Sequence, residues 1–421
     1  MTEKLIYLLQ RVMRKTWVRC VLFSLMAILA IGMSMLLGPS IPEDVAVKLG
    51  ADAIGSILNI IATSMLTVAI FSASTMVSSF TAVASSATPR ASQLMIEDAT
   101  IQNTLATFVG AFLYSVIALI GLRAHIYGGG GRLVLFGFTI TILLIVVVVL
   151  LRWIDYLSVL GRMGETLQRV EKATTKAMDQ RLSRPCLGGK PLRRGSQGRY
   201  TLLASETGFV QHVSMDILQK LAEENDDTLY VHVLPGAFIE PSTLIISSDR
   251  AMDEARCKAM HNAVLIGASR TFDHDPRFGL VVLGEIATRA LSPGVNDPGT
   301  ALDVMATAVR TLAHWVQHLH SDSGTAELLF DRVNAPPLDE AGMLDDVFLP
   351  LARYGAGAAE VGLQLQRTLG AIRRLRHPEF DAATQRLSRY AIARAVHANL
   401  FEMDVQGLRE AAEDVQQAAP A

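Results

Sequence analysis

Long uncharged stretches occupy the first third of the chain and are missing from the rest. Four of them are long enough to cross a bilayer, because about 20 apolar residues in an α-helix span its roughly 30 Å of hydrocarbon. Lipid offers no hydrogen-bond partners to the backbone, so we predict helices even for the β-branched run TILLIVVVVLL. The predicted spans cover residues 18–37, 54–84, 103–122 and 133–151. The pattern therefore predicts a membrane α-helical domain with four transmembrane helices over residues 1–152.

Beyond residue 152 the pattern is that of a protein folded in water. Residues 153–199 predict a juxtamembrane helix followed by a basic linker. Residues 200–250 alternate apolar and polar positions in short runs broken by Pro and Gly, which predicts a small β-barrel-like module. Residues 251–421 carry helical periodicity, which predicts a helical C-terminal part. Together these segments predict an α+β cytoplasmic domain.

Lysine and arginine residues near the span ends predict how the protein is oriented, because basic flanks stay on the cytoplasmic side. Five basic residues precede or begin the first span, and residues 152–199 carry eleven basic residues against four acidic ones. We therefore predict a multi-pass protein with both termini in the cytoplasm. Contact with anionic lipid headgroups is one hypothesis for part of the linker, and a solvated linker is the other. The residues concerned are Lys190, Arg193, Arg194 and Arg199.

Polar residues in the second span recur every three, four or seven positions, which places them along one stripe of the helix. The stripe is formed by Asn59, Thr63, Thr67, Ser74, Ser78 and Thr81. Hydroxyl groups in a membrane either bond within a helix interface or face water. The stripe is therefore either a helix-packing surface or, in an oligomer, the lining of a pore.

The pair Thr88-Pro89 predicts the end of this long helix, because a residue that precedes proline is driven out of the α conformation. Arg90 follows in a short charged elbow that also holds Glu97 and Asp98. Two partners for Arg90 remain open at this point, namely Glu97 and the cytoplasmic domain.

The segment RALSPGVNDPGTA, residues 289–301, lies between two predicted helices. Asp275 is followed by proline, which predicts that it is an N-cap, and Asn296 or Asp297 with Pro298 starts the next helix in the same way. Glu285 and Arg289 have the spacing of an i,i+4 ion pair. We predict a structural junction, with acid–base chemistry by Glu285, Arg289 and Asp297 as a weaker hypothesis. The polar residues of this cytoplasmic junction are Arg270, Asp273, Asp275, Glu285, Arg289, Ser292, Asn296 and Asp297.

Composition narrows the classes of function. Of the 421 residues, 50% are hydrophobic and 19% charged, and a formal net charge of −2 gives no reason to expect a nucleic-acid partner. The three cysteines are too far apart for a disulfide framework or zinc-ligand spacing. His314 and His318 share a helical face, but no carboxylate or cysteine in the sequence completes a metal site. Nucleotide-binding, nucleophile and zinc-protease motifs are missing, so we expect no cofactor, no metal and no catalytic residue.

Four segments taken together resemble the bacterial predicted-membrane-protein family called domain of unknown function 2254. They are SSATPRASQLMIEDATIQNTLATFVGAFLYS, ETGFVQHVSMDIL, SRTFDHDPRFGLVVLGEIATRALSPGVNDPGTALD and ARYGAGAAEV. The resemblance covers nearly the whole chain in order, although Gly299 stands where the family pattern suggests a bulkier residue. It implies an inner-membrane protein with four spans and a cytoplasmic domain, and it carries over no activity, substrate or catalytic residue.

Two hypotheses for the function follow from these patterns. The leading one is a homo-oligomeric, channel-like or solute-permeation protein, whose stripe lines the path and whose cytoplasmic domain assembles or gates it. The alternative is a membrane-anchored sensor or scaffold, in which the cytoplasmic domain binds a ligand or a protein partner. The lipid bilayer is a partner in both.

Overall fold

The computed structural model describes residues 51–417, apart from residues 97, 125 and 323–327, together with scattered residues between 21 and 36. The chain divides into two compact units. The membrane unit comprises Thr2–Ser85 and Ser92–Arg162. The C-terminal unit comprises Met163–Ala421 together with Ser86–Ala91.

Four helices are described between residues 51 and 159. They are α1 (Ala51–Ser86), α2 (Pro89–Ile96), α3 (Ala99–Arg123) and α4 (Gly129–Val159). Helices α1, α3 and α4 are long and apolar enough to cross a membrane, and they contain the second, third and fourth predicted spans. The first predicted span, residues 18–37, lies largely outside the described residues. The described part of the chain therefore holds three candidate membrane helices where the sequence predicted four in the whole chain.

Apolar side chains of α1, α3 and α4 form the core of the membrane unit. Leu58, Phe108 and Ile142 are among the fully buried ones. A hydrogen bond of 3.3 Å between the hydroxyl groups of Tyr114 and Thr139 joins α3 to α4 inside this core. Because lipid is as apolar as these side chains, close packing and such hydrogen bonds hold membrane helices together.

The break after α1 falls where the sequence predicts it. Helix α1 ends at Ser86 and α2 begins at Pro89. The hydroxyl oxygen of Thr88 accepts a hydrogen bond of 3.1 Å from the N–H of Ala91, so Thr88 caps α2. Proline is tolerated at the first position of a helix because the N–H that it lacks would have no partner there.

The C-terminal unit contains eight described strands in two sheets. They are β1 (Gly189–Pro191), β2 (Tyr200–Leu203), β3 (Gly208–Val213), β4 (Leu229–Val231), β5 (Phe238–Ile239), β6 (Leu244–Ser248), β7 (Val264–Gly267) and β8 (Phe330–Ala335). One sheet has the order β1-β8-β4-β6-β2, in which β8 runs parallel to β1 and β4 and the other pairs are antiparallel. The other sheet is antiparallel with the order β5-β3-β7.

The prediction of a β-barrel-like module is not met, because both sheets are open. Strands β1 and β2 are the edges of the larger sheet, and β5 and β7 are the edges of the smaller one. The physical reason lies in β8, which arrives from a distant part of the chain and inserts between β1 and β4. Local alternation of apolar and polar residues predicts a strand, but it does not identify the strand with which it pairs.

Nine described helices complete the C-terminal unit. They are α5 (Met163–Ser183), α6 (Met215–Glu224), α7 (Glu254–Ala263), α8 (Pro276–Ala290), α9 (Pro298–Asp322), α10 (Glu340–Tyr354), α11 (Ala359–Arg373), α12 (Pro378–His397) and α13 (Glu402–Gln417). Helix α5 packs against α8 and α9, and α10 to α13 continue the helical array. A Cβ atom at Gly279 in α8 would lie 1.7 Å from the hydroxyl oxygen of Thr174 in α5, so the close approach of these helices requires glycine there.

Candidate functional site

The polar stripe on α1 is exposed along its whole length in the single chain. Its six predicted members are all exposed, namely Asn59, Thr63, Thr67, Ser74, Ser78 and Thr81. The buried face of α1 carries Ile54, Leu58, Ile61, Met65 and Ala69. At about 100° per residue, the stripe lies on the opposite side of the helix from this buried face. The core formed by the described residues of the membrane unit therefore does not use the stripe.

The threonine hydroxyl groups of the stripe donate hydrogen bonds to the backbone of their own helix. Thr63 donates to the carbonyl of Asn59 at 2.9 Å, and Thr67 donates to that of Thr63 at 3.0 Å. Thr81 donates to the carbonyl of Val77 at 3.0 Å. A hydroxyl oxygen keeps acceptor lone pairs after donating its proton. The stripe thus presents hydrogen-bond acceptors on the outer surface of α1.

The length of the stripe matches a bilayer. From Asn59 to Thr81 the helix rises about 33 Å at 1.5 Å per residue, close to the roughly 30 Å of hydrocarbon. Large apolar side chains flank the stripe, and Ile60, Phe71 and Val77 are each more than half exposed. The outer face of α1 therefore combines a polar line with apolar margins.

The elbow after α1 is joined to α8 by an ion pair. The guanidinium of Arg90 donates a hydrogen bond to a carboxylate oxygen of Glu285, and both residues belong to the C-terminal unit. Of the two partners left open by the sequence, the structure gives the one in the C-terminal unit. In the described part of the chain, Glu285 is paired with Arg90, whereas the sequence suggested Arg289.

The start of α8 holds the most buried part of the predicted junction. Asp275 is 4% exposed and accepts a hydrogen bond of 2.7 Å from Arg270. It also caps α8, since its other carboxylate oxygen accepts a bond of 3.2 Å from the N–H of Phe278. Arg181 from α5 lies nearby, and burial lowers its pKa to about 10 although the charge of Asp275 opposes this. Attraction between Arg181 and Asp275 therefore links α5 to the start of α8.

Two histidines lie beside this buried group. The rings of His212 and His274 are 4.8 Å apart, and the carbonyl of His274 accepts a 3.4 Å hydrogen bond from Arg181. Burial lowers the pKa of His274, and the neighbouring Asp273 only partly opposes this shift. Burial therefore favours the neutral form of His274.

The end of α8 holds the rest of the predicted junction. Asp297 caps α9 by accepting bonds from the N–H and the hydroxyl of Thr300, at 3.1 and 2.6 Å, and the pKa of Asp297 is lowered by these bonds. The hydroxyl of Ser292 donates to the carbonyl of Arg289 at 2.7 Å. Asn296 has φ +49°, a left-handed conformation that asparagine tolerates better than most residues. This end is a sharply capped turn between two helices.

The predicted junction residues therefore fall into two groups rather than one. Asp275 and Arg270 lie at the start of α8, and Asp297 and Ser292 lie beyond its end. A helix of 15 residues separates the groups by about 22 Å. The structure confirms both predicted caps, but it does not bring the two groups together.

A cleft of about 590 Å³ opens in the C-terminal unit beside the basic linker. Arg193, Arg194 and Ser196 line one side, and the segment from Pro336 to Glu340 lines another. His232 also lines the cleft, where its Nε2 atom is 2.8 Å from the hydroxyl of Ser247. Burial lowers the pKa of His232. A cleft of this size is in the range of small-molecule sites.

The sequence profile of the family described as predicted membrane protein (DUF2254) matches residues 13–371. The chain belongs to this family. An uncharacterized protein of Mycobacterium bovis and one of Mycobacterium tuberculosis are each 25% identical to this DUF2254 protein over 265 residues, which is 60% of this chain and 50% of the relative. The chain thus spans about half the length of the curated relatives it matches. No solved structure matches it significantly.

Sequence reasoning missed several charged groups of this DUF2254 protein. Arg277 binds both carboxylate oxygens of Asp346, at 2.7 and 3.0 Å, and also Asp339 at 3.0 Å. The buried pair of Arg256 with Asp227 was missed as well. The local pattern does not identify these pairs, because the partners are distant in sequence. Arg277 was nevertheless visible as a cation in the first turn of a predicted helix, where cations are disfavoured without a partner.

His314 on α9 lies against α5, and His318 lies one turn further along α9. His314 Nε2 is 2.6 Å from a carboxylate oxygen of Asp179, and the rings of His314 and His318 are 4.1 Å apart. Across the described residues, no group of three potential metal-ligating side chains is found. The described contacts of His314 thus join two helices of this DUF2254 protein.

Proposed function

We propose that this DUF2254 protein is a homo-oligomeric, channel-like protein of the bacterial inner membrane. Its termini lie in the cytoplasm, and the stripe on α1 lines a path for ions or small polar solutes. The observation that carries the proposal is the exposure of the stripe on the side of α1 opposite its buried face.

Exposure to lipid would be unfavourable for part of the stripe. The threonines satisfy their donors within the helix, but the carboxamide of Asn59 has two donors and an acceptor. A polar amide without partners in an apolar medium costs several kcal/mol. If several copies of the chain bring their stripes together around an axis, the side chains of the stripe contact water or one another in place of lipid. Hydroxyl and carbonyl oxygens on such an axis suit permeant cations or hydrogen-bonding solutes.

The C-terminal unit is proposed to assemble or gate the path. Arg90 follows the last residue of α1 by four positions and is bound to Glu285 in α8. A movement of α8 would therefore pull on the segment that directly follows the proposed lining helix. Glu285 is partly buried and is paired with the guanidinium of Arg90. A movement that breaks this ion pair would leave the carboxylate of Glu285 without its cation.

The test is flux through liposomes that contain the purified full-length protein. We expect efflux of K⁺ or osmotic swelling in glycerol, the two probes representing a cation and an uncharged solute. Ser74→Leu places a bulky apolar side chain on the stripe and should remove most of this flux. The matched control is Ser64→Leu, since Ser64 is also an exposed serine of α1 but lies about 80° away from the centre of the stripe.

Assembly is measured on the same variants, so that lost flux is not confused with lost oligomers. In a cysteine-free background, Ser74→Cys should form disulfide-linked dimers under mild oxidation, and Ser64→Cys should form far fewer. Equal flux in the two leucine variants, or a monomeric wild-type protein in nanodiscs, would refute the proposal.

A second function is favoured by the cleft in the C-terminal unit. In this alternative the membrane helices serve as an anchor, and the C-terminal unit senses a small ligand that binds in the cleft. The volume of about 590 Å³ and the two arginines on its wall support it. Ligand binding without any flux would favour this function over permeation.

A further inference from the structure

The cleft beside the basic linker has charged groups that the fold does not use. Arg193 and Arg194 line it, and within the described part of the chain neither guanidinium forms an ion pair. The segment from Arg181 to Arg199 contains six basic residues and no acidic one, so the potential at this wall is positive.

The acidic groups across the cleft are mostly engaged. Asp339 accepts hydrogen bonds of 3.0 Å from Arg277 and of 3.0 Å from the N–H of Gly342 at the start of α10. Glu340 is 2.9 Å from the Nε2 atom of His377. Glu379 is the acidic lining residue for which the described residues offer no ion pair. A ligand would therefore meet two available guanidinium groups and one available carboxylate.

The rest of the lining has an apolar part and a polar part. Leu192, Leu244, Pro336 and Leu338 contribute apolar side chains, and Ser196, Gln197 and His232 contribute polar ones. A ligand for this cleft thus combines an anionic group with a carbon-rich part. Guanidinium groups bind phosphate oxygens through paired hydrogen bonds, and two neighbouring arginines suit a phosphate better than a single carboxylate.

We propose that this cleft binds a phosphate ester, with Arg193 and Arg194 holding the phosphate and the apolar wall holding the attached carbon group. Free phosphorylated metabolites and the headgroups of anionic lipids share this chemistry. The proposal deepens the ligand-sensing function and rests on it. It is independent of the permeation proposal, because none of the cleft residues belongs to α1.

The experiment measures binding of glycerol 3-phosphate to the full-length protein in nanodiscs of phosphatidylcholine by titration calorimetry. We expect saturable binding that weakens by about tenfold or more in Arg193→Ala/Arg194→Ala, because each lost charge-assisted hydrogen bond is worth about that factor. The matched control is Lys190→Ala/Arg199→Ala. It removes two charges from the same segment outside the cleft and should change the affinity by less than about twofold, since exposed charges are screened.

Glu379→Gln gives a readout of opposite sign. Removing the available negative charge should tighten binding of the phosphate ester by about twofold or more. A structural effect of substitution would weaken binding in every variant, so a gain in Glu379→Gln separates charge from damage. Circular dichroism and size-exclusion profiles that match wild type show that each variant is folded.

Two further arms identify the source of the phosphate. If lipid headgroups occupy the cleft, nanodiscs that contain phosphatidylglycerol should weaken binding of glycerol 3-phosphate. Native mass spectrometry should then show more phosphatidylglycerol on wild type than on Arg193→Ala/Arg194→Ala. If free metabolites are the ligands, the affinity should be the same in both kinds of nanodisc. The proposal is overturned if neither glycerol 3-phosphate nor phosphatidylglycerol binds, or if binding is the same in wild type and Arg193→Ala/Arg194→Ala. Flux through the same variants is measured separately, and its loss or persistence bears only on permeation.

Discussion

The stripe on α1 and the two ends of α8 contain similar polar residues in opposite circumstances. At the ends of α8, Asp275 and Asp297 each cap a helix, and Asp275 also binds Arg270. On α1, the bonds that Thr63 and Thr67 form within the described part of the chain go to the backbone of their own helix, and both side chains are exposed. Polar groups that are bonded within the fold need no further partner. Polar groups that are exposed on a membrane helix need one, because lipid offers no hydrogen bonds. The stripe on α1, rather than the conspicuous junction sequence, is therefore the place where a partner is expected.

The same distinction applies within the C-terminal unit. Arg277 and Arg256 are bound to carboxylates of the fold, whereas Arg193 and Arg194 line the cleft without an ion pair in the described part of the chain. The arginines that are paired with carboxylates stabilise the unit. The two arginines that line the cleft are available to a ligand.

The largest effect on the free energy of unfolding is expected when Asp275 is replaced. Asp275→Ala removes a buried cap and the partner of Arg270, so we expect a loss of roughly 3 kcal/mol in the free energy of unfolding. The matched control is Asp297→Ala, an exposed cap of the next helix, for which about 1 kcal/mol is expected. Urea unfolding of the full-length protein in detergent is followed by Trp315 fluorescence, with Trp17 and Trp153 replaced by phenylalanine. A loss below that of Asp297→Ala would show that the start of α8 is not held by Asp275.

A smaller effect is expected from the protonation of His274. Burial lowers its pKa in the folded protein, and in the unfolded chain the pKa is about 6.5. As the pH falls below about 6.5, the unfolded chain therefore takes up a proton that the folded protein does not, so stability decreases. His274→Gln should flatten the decrease in unfolding midpoint between about pH 7.5 and pH 5.

The matched control for this titration is His397→Gln, because His397 is exposed at the end of α12. It should leave the pH dependence as in wild type. Burial also lowers the pKa of His232, so part of the decrease remains in both variants. An unchanged slope in His274→Gln would contradict the assignment.

The smallest effect is expected on the stripe itself. Thr67→Val keeps the shape of the side chain and removes a hydroxyl that the membrane core does not use, so stability should change by less than about 0.5 kcal/mol. Thr139→Val removes the hydroxyl that binds Tyr114 in the core and should cost about 1 kcal/mol. Thermal unfolding of the dissociated protein in detergent compares the two. If Thr67→Val were the more damaging change, the stripe would belong to the fold of a single chain.

Much of the local structure was predictable because its signals are local. Runs of apolar residues predicted α1, α3 and α4, and the Asp-Pro pairs at Asp275 and Asp297 predicted the starts of α8 and α9. These signals depend on residues within one or two turns of a helix. The pattern of the polar stripe was likewise readable from spacing alone.

The features that the sequence did not predict depend on segments that are far apart in the chain. The larger sheet stays open because β8 inserts in parallel between β1 and β4. No local feature of Phe330–Ala335 identifies β1 and β4 as its partners. The cleft was missed because its walls come from distant parts of the chain, namely the linker, the residue after β4, the start of β6, the segment before α10 and the start of α12. For Arg193 and Arg194 the sequence left two hypotheses open, contact with anionic lipid headgroups and a solvated linker, and it did not predict the cleft around them.

The sequence by itself determined which segments are long, apolar helices, where they are capped, and that one of them carries a polar stripe. Helical periodicity and capping are properties of neighbouring residues, so they can be deduced without the fold. Only the tertiary structure decided that the stripe faces away from the described core of its unit and that Arg90 binds Glu285, 195 residues further along the chain. Exposure and ion pairing depend on which distant segments pack together, and that choice is made by the whole fold rather than by any one stretch of sequence.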